Sequence, residues 1–429
     1  MRQGTHERED RIAMKDCREV PSHIALFMPS LGGGGVERVM LNLASAFVER
    51  GSRVDLVVCR AEGPVRDQVP AQLNLVALRA APPGWARLLI LAADPKGLKT
   101  LLRPVLLPLK VVKQFRCLPD LARYLRHERP QVLLPAMTKP NLMAVWARRL
   151  TGVPTRVVLS EHNTFSVDLS FPRRKRRKWR RRFLPALVKQ VYSQADAIIA
   201  VSNGVADDLT QCTGIPRERI TTIYNPIVTP ELLSQTRAPL DHPWFQSAAP
   251  PVVLGVGRFH EQKDFPTLLR AFARVRAQQK AHLMILGEAK QVESRTELTT
   301  LAAQLGIADD VMLPGFVDNP FAYMAHAAVF ALSSAWEGFG NVIAEALACG
   351  CPVVSTDCPS GPAEILENGR YGPLVPVGDE AALADAISSV LNAPPNRDAL
   401  RARGAMFTAE AAADRYLEVL LGQEGAKCS

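Results

Sequence analysis

Apolar residues along this chain come in short runs that alternate with stretches of helical spacing, and that alternation predicts a doubly wound α/β protein. The first run, Ile24 to Pro29, is followed by Leu-Gly-Gly-Gly-Gly at 31 to 35 and then by Val36, Val39, Met40, Leu43 and Phe47 at helical intervals. Gly51 stands where a helix cap belongs, and Val54 to Cys59 supplies the next strand, which completes a βαβ unit. Further strands are expected at Gln131 to Leu134, Arg156 to Leu159 and Ala197 to Val201. Between Ile223 and Pro251 prolines crowd and the periodicity lapses, as in an interdomain linker. The alternation then resumes: strand Val252 to Val256, a helix from Phe265 with Leu268, Leu269, Phe272 and Val275 inward, strand Leu283 to Leu286, and similar elements to about Leu391. After the Pro394-Pro395 break, Ala409 to Leu421 is again helical. The expected division is a tail at 1–22, a first α/β domain at 23–225, a linker at 226–250, a second α/β domain at 251–395, and a helical segment at 396–429 that is free to pack back on the first domain.

Composition fits a folded protein of two domains, with 47% hydrophobic and 22% charged residues in 429. The eight cysteines form no Cys-x2-Cys pair, so a reducing compartment is expected. Cys349, Cys351 and Cys358 match no common zinc spacing and are assigned to packing; no metal is expected. The first twenty residues are polar and lack a signal-peptide core, so export is not expected. The longest uncharged stretch, Asn319 to Trp336, is broken by Pro320 and His326 and reads as a short helix plus a strand, not a membrane span. The net charge of +10 is unevenly held: residues 1–225 carry +18 and residues 226–429 carry −8. The first half is therefore suited to an anionic partner.

The richest chemistry lies between Ser334 and Thr356. Glu337 sits in a glycine loop with Gly338 and Gly340, and a helix of about two turns starts at Asn341 and stops at Gly350 before the strand Val353 to Thr356. Val342, Ile343, Ala346 and Leu347 form its apolar arc, which leaves Asn341 and Glu345 toward a cleft or solvent. Bare backbone N–H groups at a helix start suit an anion, and carboxylates suit the paired hydroxyls of a sugar or ribose. In Gly255-Val-Gly-Arg-Phe-His-Glu-Gln-Lys263, Arg258 and Lys263 fall between a strand and a helix; the segment resembles the donor-phosphate loop of a glycosyltransferase family, which implies that the two cations neutralise a leaving diphosphate without a metal ion. The glycines at 32 to 35 do not make a dinucleotide fingerprint, because Glu37 occupies the third glycine position and no ribose-binding acid follows the second strand.

The segment from Glu337 to Glu345 resembles the Glu-x7-Glu signature of glycosyltransferase family 4, retaining enzymes of GT-B fold, and the resemblance extends from about Ile24 to Leu391. It implies two Rossmann-like domains facing each other across a cleft, the first on the acceptor side and the second binding a nucleotide-sugar. It implies that Glu345 binds the donor ribose, that Glu337 lies near the transferred sugar, and that backbone around Gly338, Phe339, Gly340 and Asn341 contacts sugar and diphosphate. Ile285-Leu-Gly-Glu288 and Leu313-Pro-Gly-Phe-Val317 are similar to the family's base pocket, which nominates Gly287, Phe316 and Val317. The loop holding Gly33 and Gly34 is similar to the glycine loop that approaches the donor, although it is one residue richer, and Ala289-Lys290 replaces a common Gly-Pro. Ser160-Glu-His-Asn163 resembles a motif that keeps a histidine, here His162, near the transferred sugar. The implied reaction moves a sugar, with retention, from a nucleotide diphosphate, UDP by family frequency, to a glycan hydroxyl; it needs no cofactor or metal. A sugar-nucleotide epimerase of the same fold is the rival enzyme.

Residues 173–182 hold nine cations around Trp179. With the leucine-rich, basic stretch 86–118 they predict docking on an anionic membrane, through Arg176, Arg177, Trp179, Arg180 and Arg181. The expected setting is the cytoplasm, peripheral on the inner face of the membrane, with a lipid-linked acceptor. Such a basic run also suits a nucleic-acid-binding protein, but no nucleic-acid fold signature accompanies it and no nucleic acid is expected as partner.

Overall fold

The computed structural model describes residues 22–101, 105, 112–170, 182–288 and 292–422. Two parallel sheets organise the chain. The first takes strands β1 (His23–Met28), β2 (Arg53–Val58), β3 (Asn74–Ala77), β4 (Val132–Pro135), β5 (Arg156–Glu161), β6 (Ala197–Ala200) and β7 (Ile220–Thr222) in the order β3-β2-β1-β4-β5-β6-β7. The second takes β8 (Val252–Val256), β9 (His282–Leu286), β10 (Val311–Gly315), β11 (Val329–Leu332), β12 (Val353–Thr356) and β13 (Leu374–Val375) in the order β10-β9-β8-β11-β12-β13. Helices cover both faces, which is why the central strands read as unbroken apolar runs; Ile24 through Met28 are all fully buried.

Both sheets reverse their winding order once, between β1 and β4 and between β8 and β11. In doubly wound sheets a ligand crevice opens beyond the carboxyl ends of the strands at such a reversal. The loops that leave those ends carry the glycines at 32–35 after β1, Gly257 to Lys263 after β8, and Ser333 to Gly340 after β11.

The helical periodicity is realised closely. The helix Phe265–Gln278 buries Leu268, Leu269, Phe272 and Val275, and Pro320–His326 with β11 makes up the uncharged stretch. The segment expected to be an irregular linker holds a helix at Pro230–Gln235, capped by the Thr229 hydroxyl, and Trp244 stacks flat on His282 at 4.1 Å. A local cap and one aromatic pair order it, and neither leaves a periodic trace in sequence. The chain then crosses back: Val228 pairs with Thr408 in a parallel bridge, and the helix Ala409–Leu421 lies on Gly35–Glu49 with Tyr416 fully buried. Arg50 meets Asp414 at 2.7 Å, and Arg156 donates to the Val419 carbonyl at 3.3 Å. Among the described residues no helix is long and apolar enough to cross a membrane. The predicted membrane-binding residues Arg176, Arg177, Trp179, Arg180 and Arg181 lie outside the described residues.

Candidate active site

Glu337 is buried in the loop after β11, and its carboxylate is fully engaged. Oε1 receives Lys263 Nζ and the Ser334 hydroxyl, each at 2.7 Å, and Oε2 receives Gln262 Nε2 at 3.3 Å. Lys263 is thus paired with the first glutamate of the motif, where the sequence assigned it to phosphate alone. Arg258 is exposed and has no acidic partner among the described residues. Close by, burial and the neighbouring Glu337 push the Cys358 thiol up to about 12; at the opposite end of β12, beside Ala327, burial pushes Cys351 up to about 12, so both are packed, protonated thiols.

The helix Asn341–Ala348 begins at Gly340, whose φ of +95° suits only glycine without strain. Its first turn is short of backbone partners, and Asn341 is met from the other half of the chain: Asn225 donates to its Oδ1 at 2.8 Å, and Asn341 donates to the Gly35 carbonyl at 3.4 Å. Gly35 makes this approach, whereas Gly33 lies beside Pro64 and Gly34 beside Glu37. Glu345 is 4% exposed and faces the cleft, not solvent; its partner is Arg38 of the helix Gly35–Glu49, 3.3 Å away. Phe339 is buried against Tyr224 and Phe407, so this residue offers the cleft its backbone and not its ring.

His162 follows β5 and closes the site from the first half. It is buried, Nε2 lies 2.9 Å from the Ser160 hydroxyl, and Nδ1 has no partner among the described residues. Burial pushes its pKa down to about 4, so the ring is neutral near pH 7. The strand end beneath it is anchored at the buried Glu161, which accepts from Tyr192 Oη, from Asn141 at 3.1 Å and from Thr138 at 3.3 Å. The two halves touch here: Thr164 donates to the Glu337 carbonyl at 2.8 Å and Ser202 to the Gly338 carbonyl at 2.7 Å. A Cβ on Gly338 would sit 2.0 Å from the His162 carbonyl oxygen, so only glycine admits this contact.

On the far side of β8, Gly287 has φ +139°, and a Cβ there would lie 1.9 Å from the Gly257 carbonyl oxygen; its N–H donates to Gly315 at 2.8 Å. The next residues, Phe316 and Val317, present a ring that is 59% exposed and a half-buried side chain. Glu337, Lys263, Glu345, Asn341 and His162 therefore converge between two switch points. Arg38, Thr164, Ser202, Asn225, Gln262 and Ser334 join them without having been marked by sequence.

The family model described as Glycosyltransferase Family 4 matches residues 33–230, and that described as Glycosyl transferases group 1 matches residues 250–393. The chain belongs to glycosyltransferase family 4. It is a transferase of GT-B architecture. A similar protein is the N-acetylgalactosamine-N,N'-diacetylbacillosaminyl-diphospho-undecaprenol 4-alpha-N-acetylgalactosaminyltransferase of Campylobacter jejuni, 33% identical over 59% of this chain but only 65% of that protein. The lipopolysaccharide core biosynthesis glycosyltransferase LpsE of Rhizobium meliloti is 29% identical over 90% of this chain and 96% of its own. Among solved structures, Anabaena Alr3699/HepE in complex with UDP and glucose superposes with a TM-score of 0.71 at 19% identity, over 93% of this chain and 99% of that one, a likeness of fold.

Proposed function

We propose that this glycosyltransferase moves a sugar, with retention, from a UDP-sugar to a hydroxyl of a lipid-linked glycan, in the synthesis of a lipopolysaccharide or similar cell-surface polymer. Its setting is the cytoplasmic face of the membrane, on which it is peripheral. The observation that carries the reading is the facing of Glu337, Lys263 and the Asn341 helix start by the buried, neutral His162. The relative that acts on a diphospho-undecaprenol glycan and the lipopolysaccharide enzyme support the acceptor class, and the UDP-bound structure of the same fold supports the nucleotide.

In this reading Glu345 accepts hydrogen bonds from the ribose, and Phe316 stacks on the base beside Gly287 and Val317. The diphosphate lies against Arg258, Lys263 and the N–H groups of Gly338 to Asn341, with Gly33 and Gly34 covering it from the first half. The bond from anomeric carbon to phosphate oxygen breaks as the acceptor oxygen bonds to the same face, and the acceptor proton passes to the departing phosphate oxygen. Glu337 holds Lys263 in place and accepts from a sugar hydroxyl, while His162 Nδ1 supplies a further contact to the sugar. The positive charge already in place makes a divalent metal unnecessary. The test is incubation with UDP-sugars and an undecaprenyl-type acceptor, with the product's anomeric configuration read by NMR. Retained configuration in an acceptor-dependent product is expected. Inversion, or epimerised sugar nucleotide formed without acceptor, would overturn the reading.

A further inference from the structure

Ser160 lies near the end of β5, buried, with its main chain fully engaged. Its N–H donates to Asn141 Oδ1 at 3.4 Å, and its carbonyl accepts from Asn141 Nδ2 and from the Met137 N–H, each at 3.0 Å. The hydroxyl is left to serve other side chains, and two stand beside it. His162 Nε2 is 2.9 Å away. The Tyr416 hydroxyl comes from the helix Ala409–Leu421, which packs across β4 and β5. Tyr416 is fully buried, and its hydroxyl has no other partner among the described residues; nor has Nδ1 of the buried His162.

Three polar hydrogens occupy this buried row, one on Tyr416, one on Ser160 and one on the imidazole. Burial keeps the phenol protonated by pushing it up to about 12, and keeps the ring neutral by pushing it down to about 4. A buried donor without an acceptor is unfavourable, so the row adopts the order that leaves the fewest groups unmatched. With the ring proton on Nε2 and directed at Ser160, the serine proton turns to Tyr416. The phenol proton then meets no acceptor, and Nδ1 holds a bare lone pair. In the reverse order Tyr416 donates to Ser160 and Ser160 donates to Nε2, so both hydroxyl protons are matched. The ring proton then sits on Nδ1, and one group is left open where the first order leaves two.

We propose that Ser160 and Tyr416 are positioning residues that fix the proton of His162 on Nδ1, so that the ring meets the donor sugar as a hydrogen-bond donor to one of its oxygens and not as a base. The inference rests on the place given to His162 in the function proposed above. It accords with passage of the acceptor proton to the departing phosphate, because an imidazole whose single lone pair is bound to Ser160 has none to offer a hydroxyl. It also gives the last helix a part in the site, since Tyr416 acts on the ring from within the core.

The experiment is nitrogen NMR of the full chain carrying isotope-labelled histidine, in which a protonated and a bare ring nitrogen resonate far apart; His162→Gln assigns the signal among the eight histidines. In wild type the proton is on Nδ1. Ser160→Ala removes the donor to Nε2, and Tyr416→Phe, of nearly the same volume, removes the group that directs it; both move the His162 signals toward the other tautomer. Transfer from a UDP-sugar to a short acceptor follows: kcat falls about tenfold in Ser160→Ala and about threefold in Tyr416→Phe, with KM for the donor within about twofold of wild type. Melting temperatures on the same preparations separate this from a loss of fold. A proton on Nε2 in wild type overturns the proposal, as does a tautomer that neither substitution moves, or full turnover with the tautomer displaced. The expected tautomer and its shifts in a protein that transfers no sugar would uphold the positioning row and remove the proposed function instead.

Discussion

Replacing Arg38 by Gln tests whether the donor site is built across both halves of the molecule. Arg38 Nη1 and Glu345 Oε1 are 3.3 Å apart, and no other partner of the Glu345 carboxylate is seen among the described residues. At an effective dielectric of about 20, two unit charges at that separation attract by about 5 kcal/mol. The Arg38 side chain is 44% exposed, so solvent screening and the freedom of a long side chain reduce the net coupling to about 1–2 kcal/mol. Without Arg38, Glu345 is left buried with no cation to orient it, and in the proposed reading the ribose would meet a misdirected carboxylate. Arg38→Gln should lower kcat/KM for the donor about tenfold, chiefly through KM, because the proposed role of Glu345 is to hold the ribose and not to act on the breaking bond. Glu345→Gln should cost roughly 2–3 kcal/mol, since it loses the pair with Arg38 and also turns the proposed charge-assisted ribose contacts into weaker neutral ones. The assay is a double-mutant cycle on donor kcat/KM, with thermal unfolding as control. If Arg38→Gln costs as much in the Glu345→Gln background as in wild type, the two residues act independently and the reasoning fails.

Gly338→Ala would drive a methyl group into the His162 carbonyl oxygen at 2.0 Å, so transfer should fall at least a hundredfold while circular dichroism stays native; normal turnover would mean that this contact is not part of the working site. His162 contributes to acid sensitivity. With its pKa lowered by burial from 6.5 to about 4, the unfolded chain takes up the proton first, so stability is full above about pH 6.5 and declines toward pH 4, by about 3 kcal/mol; His162→Gln should flatten the melting temperature across that window. Lys263→Ala should lower kcat by two to three orders of magnitude, whereas EDTA should leave wild-type transfer unchanged; a strict demand for magnesium or manganese would refute the cationic account of the diphosphate.

The fold was legible because parallel strands buried on both faces show as continuous apolar runs, and Val252–Val256 and Val353–Thr356 coincide with the expected limits. The strand Asn74–Ala77 was not, since it is an edge strand in which only Leu75 and Val76 are even half-buried. In the site, the acids and cations were legible because they punctuate glycine loops. Their partners were not. Arg38 and Glu345 are 307 residues apart, and Thr164 and Ser202 bind backbone carbonyls, which carry no residue type for a sequence pattern to match. The pairing of Lys263 with Glu337 likewise depends on β8 and β11 being neighbours in the sheet.

The chain passes between its two halves twice, and the passages lie side by side: Val228 donates to the Phe407 carbonyl and accepts from Ala409, each at 2.9 Å. A single tether would let the halves wander over a cone of orientations. Paired tethers define an axis, so any opening and closing of the halves would follow one arc and would return the second half to the same place on the first. The same arrangement leaves part of the first half's core to be completed from the far end of the chain. Its core includes Tyr416 and Leu420, both fully buried and both supplied from the far end of the chain. A fragment ending before the linker would lack that plug, and it should recover its fold only when the last helix is supplied in trans.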